Sequence, residues 1–457
     1  MTGEVVPNPF GQPEDGSLAT ELEPPPQPAA AGPAPAEPAA AEPIRRHQVA
    51  RFVLGRGIAG LGDQFLLFAI PLLTYRLTGS ASMTGLIFLV EWLPRVCFLP
   101  IAGVFADRFM GYRLYLGSDT IRATLALGAF ALIRLAPGLQ FLTLCVLAAG
   151  MSLASAQAYV AMETTLPRFV PMDQMIRAQS TIQGTEQGSE ILGPVLAAAL
   201  SSVIGTSDLL VVISVVYALT ALNIFTLRRP LLRERVDGAV PEGTTVRSVV
   251  SGVVDGAATL RRLPAILGLV GLTMTVNLMV GVGLATSAAI TTGTYGKPDR
   301  YFGILSTIAG LVGFLTFFLV PKISKHISPF LAIMLSYALV CIGGIGISRS
   351  TNFVEFAISY AVLLGPIGFF NVFIRAERIK RIPREHLGKT IGLIILLNQI
   401  SLPLAGLLVA AFAVQHDPRT VVLGAVVGSV CTVVLLIPLL LQLRSPHAHP
   451  GPASNHE

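Results

Sequence analysis

Gln183, Glu186, Gln187 and Glu190 form a polar stripe inside an otherwise apolar segment, Thr181 to Gly205, interrupted by Gly193-Pro194. The segment is roughly 20 residues long, enough to cross a bilayer core. An ionisable residue in a spanning helix costs about 2.5–3.5 kcal/mol on insertion scales, so Glu186 and Glu190 must face water or a polar partner. Two carboxylates one turn apart do one of two things: they trade a proton between them, or they anchor a polar network that fixes this helix against its neighbours. Asp63 sits in another apolar run, with Arg56 seven residues earlier on the same helix face. There the choice is between a proton carrier held ionised by Arg56 until the two separate and a static polar group that pins helix contacts. Glu91 and Arg95 stand at i and i+4 around Pro94, which suits an ion pair that locks the helix. Trp92 between them can stack on a bound molecule or simply pack.

Nothing in the chain suits catalysis. No phosphate-binding glycine loop, haem pair, zinc motif or nucleophile constellation is present, so neither an enzyme nor a cofactor is expected. Cys97, Cys145, Cys341 and Cys431 are scattered one per apolar run and read as packing residues. His447, His449 and His456 lie in a Pro-rich end and read as solvated, so no metal site is expected.

The elements that must hold these side chains are membrane-spanning helices. With 53% hydrophobic and 13% charged residues and a mean hydropathy of +0.69, the composition excludes a soluble domain of this length. Apolar runs fall at about 50–75, 83–106, 114–135, 139–161, 181–205, 207–227, 264–292, 301–320, 330–348, 353–376, 389–414 and 420–443, an all-α membrane protein of twelve spans. An even number of spans puts both termini on one side. That side collects roughly 22 Lys and Arg against roughly six on the other, which makes it cytoplasmic. The net charge of +6 is therefore a topology signal, and no nucleic-acid partner is implied.

Five segments follow. Residues 1–44 are Pro, Ala and Glu with hardly any large apolar group; they should stay disordered, and they hold no apolar run of the kind a cleaved leader needs. Residues 45–228 form a first six-helix half, and 264–444 a second. Between them, 229–263 is a cytoplasmic linker whose second half places Val246, Val249, Val250, Val253, Val254 and Ala257 at helical spacing, with Arg247, Arg261 and Arg262 available to lipid headgroups. Residues 445–457 are a cytoplasmic tail. The halves repeat in parallel: Pro171 aligns with Pro383, Asp173 with Glu385, Arg177 with Lys389, and the same register brings Gln187 onto Gln399. Polar residues are thinner in the second half. Asn277, Asn371, Arg375, Asn398 and Gln399 are its candidates for substrate contact, and Phe314, Phe317, Phe318, Phe369, Phe370 and Phe373 can offer apolar surface or ordinary packing.

The loop Gly103-Val-Phe-Ala-Asp107-Arg108-Phe-Met-Gly111-Tyr-Arg113 is similar to the Gly, Asp-Arg, Gly and base motif of the major facilitator superfamily, with one extra residue before the glycine. Ser189 to Gly193-Pro194 is similar to its fifth-helix antiporter motif, lacking two glycines. Within that superfamily the chain resembles the drug and siderophore exporter branch that includes the enterobactin exporter, macrolide efflux proteins and the lysophospholipid transporter. The residues that carry this are Gly62-Asp63, Ser118-Asp119-Thr-Ile-Arg122, Leu166-Pro167-Arg168-Phe-Val-Pro171, and Asp255-Gly256 with Arg261-Arg262-Leu-Pro264. The resemblance implies that helix one lines a central cavity. It also implies a cytoplasmic gate of Asp107, Arg108, Arg113, Asp119 and Arg122, in which Asp107 faces the N-terminus of helix eleven near Lys389 and Thr390.

Proton-driven export of a small amphiphile, a siderophore or drug-like metabolite, is the expected function, by a monomer in a bacterial cytoplasmic membrane. An importer or facilitator of the same fold, and a lipid-handling or receptor-like protein without coupling, stay open as alternatives.

Overall fold

The computed structural model describes residues 46–109, 111–170, 172–227, 246–323, 326–383 and 386–444, and these are almost wholly helical. The first half comprises α1 (Arg46–Thr78), α2 (Ala81–Arg108), α3 (Gly111–Leu135), α4 (Gln140–Phe169), α5 (Met172–Ile204) and α6 (Leu209–Thr226). A linker helix, α7 (Val246–Arg261), precedes α8 (Pro264–Ala288), α9 (Asp299–Ile323), α10 (Pro329–Arg349), α11 (Phe353–Leu364), α12 (Ile367–Arg381), α13 (Leu387–Phe412) and α14 (Pro418–Leu441). Among the described residues eleven helical stretches are long and apolar enough to cross a membrane, α11 and α12 counting as one. The remaining expected span is α9, 25 residues long, or about 37 Å of helix.

Local chemistry sets the ends. Ser80 accepts from the Met83 amide at the start of α2, and Ser328 and Asn352 cap α10 and α11 in the same way. Gly79 (φ +61°) ends α1 and Gly205 (φ +94°) ends α5, both in the left-handed region that favours glycine. The tenth expected span is broken where the sequence suggested one rod. Pro366 has no amide to donate, so the ladder stops between Leu364 and Ile367, and the Gly365 carbonyl accepts from the Thr316 hydroxyl of α9 instead (3.1 Å). Likewise α8 runs on into a π-helical turn, Ala289–Thr294.

Large apolar side chains point outward all round, among them Val203 at 84% and Leu435 at 79% exposure. Such a surface is stable only against lipid. The two halves meet along α2 with α13 and α5 with α9. Where α2 crosses α13, a Cβ on Gly85 would lie 2.5 Å from the Ala410 amide, and one on Gly406 2.5 Å from the Leu89 amide, so only glycine allows this approach. Asp299 at the head of α9 pairs with Arg76 at the tail of α1 and accepts from Thr206 (2.9 Å). The contacts at Gly85, Gly406 and Asp299 lie at the ends remote from the chain termini, and Gly310 of α9 approaches Glu190 of α5 at mid-helix.

The linker helix packs on α13. Its Asp255 pairs with Lys389 (2.8 Å), and a Cβ on Gly256 would come within 2.9 Å of the Lys389 carbonyl oxygen. The expected partner of this region, Asp107, has its side chain outside the described residues, as have Arg108, Asp173, Phe317 and Phe318. Pro171, Glu385 and the three tail histidines also lie outside them. Even so, α4 and α12 end at Phe169 and Arg381, and α5 and α13 begin at Met172 and Leu387, which keeps the register of the internal repeat to within a few residues.

Candidate functional site

Two adjoining cavities sit between the helices. One, of about 320 Å³, is lined by α1, α2, α3, α4 and α5, through Arg56, Asp63, Glu91, Arg95, Arg122, Glu186 and Glu190 among others. The other, of about 520 Å³, lies beneath the contacts that join the halves; Phe302, Phe314, Tyr360, Leu364 and Asn371 of the second half face Gln64, Trp92, Gln187 and Glu190 of the first. Glu91, Trp92 and Glu190 border both.

Charge in the first cavity is woven into one network. The Arg56 guanidinium reaches Glu186 on α5 (3.1 Å) and Asp63 on its own helix (3.5 Å). Asp63 also accepts from the Tyr217 hydroxyl of α6 at 2.7 Å. Arg122 of α3, only 2% exposed, lies 3.4 Å from the fully buried Asp119 and 3.7 Å from Asp63, with its guanidinium 4.8 Å over the Tyr217 ring. Burial at this depth holds charges only when they are paired, and each of these is. On α5, Gln183 donates to Glu186 (2.9 Å) and Gln187 to Glu190 (2.8 Å), while the Ser189 hydroxyl reaches across to the Gly57 carbonyl of α1 (3.0 Å).

One expectation needs correction, and two others gain a placement. Asp119 and Arg122 lie two to three turns into α3, about 12–16 Å, where Arg122 meets Asp63; the side chains of Asp107 and Arg108, expected to join them in a gate, are outside the described residues. The helix-internal pair of Glu91 with Arg95 does not form. Arg95 turns its guanidinium over the Trp92 ring, 5.4 Å from the centroid, and Glu91 has no ion-pair or hydrogen-bond partner among the described residues. Lys389 pairs with the linker's Asp255.

Other candidates are placed as follows. Arg113 is exposed and lies against Tyr112. Asn371 borders the second cavity, whereas Arg375 is exposed away from both. Asn277 donates to the Asn398 carbonyl (3.3 Å), tying α8 to α13; neither they nor Gln399 line the two cavities. Phe369, Phe370 and Phe373 are core, and of the named phenylalanines with described side chains only Phe314 lines either of these cavities. Tyr217 was missed, because a lone tyrosine in the apolar sixth span carries no signal separating a packing ring from a hydrogen-bond donor to a buried acid.

Comparisons with known proteins agree with this geometry. The model of the Major Facilitator Superfamily matches residues 52–376. Macrolide efflux protein A of Streptococcus pyogenes is 23% identical over 347 residues, 74% of this chain and 82% of that protein. Among solved structures, the nucleoside transporter NupG superposes with a TM-score of 0.69 at 13% identity, covering 86% of this chain and 98% of its own. A bacterial homologue of the iron transporter ferroportin, in an inward-facing state, gives 0.66 at 15% identity, covering 88% and 99%.

Proposed function

Because the chain belongs to the major facilitator superfamily, and is thus a multi-pass membrane transporter rather than an enzyme, we propose that it is a proton-coupled exporter of a small, drug-like amphiphile. It works by alternating access from the cytoplasmic membrane, with both termini in the cytoplasm. The observation that carries this reading is the asymmetry of the joined cavities. Acids, bases and amides of α1, α2 and α5 face an apolar wall of α8, α9 and α11. An amphiphile lays its polar end on the first and its apolar body on the second. The contacts at Gly85, Gly406 and Asp299 join the halves at the ends remote from the termini, which supports loading from the terminal side, where an exporter takes its cargo. The efflux protein among the relatives supports a drug-like cargo over a siderophore.

Purified protein in vesicles, loaded with a fluorescent macrolide and given a proton gradient, tests this. Export by antiport requires macrolide movement against the proton gradient, stopped by a protonophore. It also requires binding that weakens from about pH 8 to pH 5, because proton and substrate compete for one state. Movement indifferent to the gradient means a facilitator, and tighter binding at the acid end means a symporter.

A further inference from the structure

Six carboxylates lie on or beside the polar cavity, and four of them are engaged. Asp63 is held by Arg56, Arg122 and Tyr217 from three different helices. Asp119 is held by Arg122, Glu186 by Arg56 and Gln183, and Glu190 by the Gln187 amide. Glu91 and Glu163 of α4 have neither ion pair nor hydrogen bond among the described residues; Glu163 is exposed and lines neither cavity, whereas Glu91 borders both.

The groups around Glu91 explain why it is free. On its own helix Arg95, one turn on, is turned onto Trp92. From α1 the nearest charged groups are Arg56 and Asp63, and from α3 Arg122, all committed to one another. From α5 come Glu186 and Glu190, of the same sign, and from α4 the polar groups lining the same space are Tyr159, Ser152 and Ser155. The α8 side presents Val280, Leu284 and Ser287, and α11 presents Tyr360. No cation is available to it except Arg95, by a rotation of that side chain.

An unpaired carboxylate in a spanning helix keeps its charge only while water or a cation touches it. Its state is therefore tied to what fills the cavity, in a way that the clamped Asp63 is not. We infer that Glu91, rather than Asp63, is the carboxyl that takes up and gives back the transported proton. With the cavity open, water solvates the carboxylate and the proton is released toward the terminal side. With the cavity closed and emptied of substrate, the carboxylate binds a proton from the opposite side, while Arg95 stays on Trp92. Asp63 remains the fixed counter-charge that orients Arg56 and Arg122. This assignment rests on the proton-coupled reading above.

Infrared difference spectroscopy of the reconstituted protein, stepped from about pH 8 to pH 5, reads carboxyl protonation without any ligand. The expected result is a protonated-carboxyl band that vanishes in Glu91→Gln, survives at a shifted frequency in Glu91→Asp, and persists in Glu190→Gln and Tyr217→Phe. If Glu91→Gln does not fold, the frequency shift in Glu91→Asp carries the assignment. A band of wild-type size and position in Glu91→Gln, or an unshifted one in Glu91→Asp, overturns it. The fluorescent-macrolide assay keeps the two levels apart: gradient-driven movement that survives in Glu91→Gln sinks the role of Glu91 and leaves export standing, whereas a wild-type protein indifferent to the gradient removes the premise.

Discussion

The two walls of the central cavity are built on opposite principles. In the first half, Arg56, Asp63, Asp119, Arg122 and Glu186 cross-link α1, α3 and α5, with Tyr217 reaching in from α6. In the second half the facing surface is Phe302, Phe314, Tyr360 and Leu364, with Asn371 as a polar tip. A charge network is directional and intolerant of loss, because each buried ion depends on its partner. An apolar wall is non-directional, and its strength scales with area. The division gives one half a fixed shape and the other a surface that tolerates varied outlines, which fits the proposed amphiphilic cargo.

The sharpest way to break this contrast is Arg122→Ala. It strips the buried Asp119 of its partner and Asp63 of one of three, so a destabilisation of about 3–5 kcal/mol is expected, read as a large drop in melting temperature in detergent. A change below about 1 kcal/mol would mean that the network is solvated and carries no such dependence. Next comes the line where the walls meet. Gly406→Ala places a Cβ against the Leu89 amide and the Gly85 carbonyl, main-chain atoms that cannot fold away. Overpacking of about 1–3 kcal/mol should push the halves apart at the remote face. In a cysteine-free background, a cysteine replacing Phe68 should then label faster from that face; an unchanged rate would show that the close approach is dispensable. The smallest effect belongs to the apolar wall. Asn371→Ala should leave stability within about 0.5 kcal/mol and weaken fluorescent-macrolide binding by less than about tenfold, since one neutral hydrogen bond is worth about 0.5–1.5 kcal/mol. A loss as large as that of Arg122→Ala would erase the distinction between the walls.

Much of this was legible from residue types alone. Spanning helices announce themselves because lipid demands about 20 apolar residues per crossing, and the stripe Gln183, Glu186, Gln187 and Glu190 had to face a polar interior because lipid would not take it. The link between Arg56 and Asp63 followed from helical period, a local property. The pairing of Glu91 with Arg95 followed from the same rule and failed, since the i,i+4 spacing permits a contact but a ring one residue away, Trp92, competes for the guanidinium. The contact of Arg122 with Asp63 was not legible for a different reason: resemblance marks residues by their place along the chain, and only the packing of α3 on α1 brings these two together.

The amino-acid sequence by itself determined that the chain spans a membrane, in two related halves, with its acids and bases gathered in the first. Those features depend on composition and period, which are written along the chain. Only the tertiary structure decided which acid has a partner. That Asp63 is clamped by Arg122 and Tyr217 while Glu91 is left open depends on helices α3 and α6 arriving at α1 from distant parts of the chain, and partners separated by 59 to 154 residues leave no periodic trace for a sequence to show.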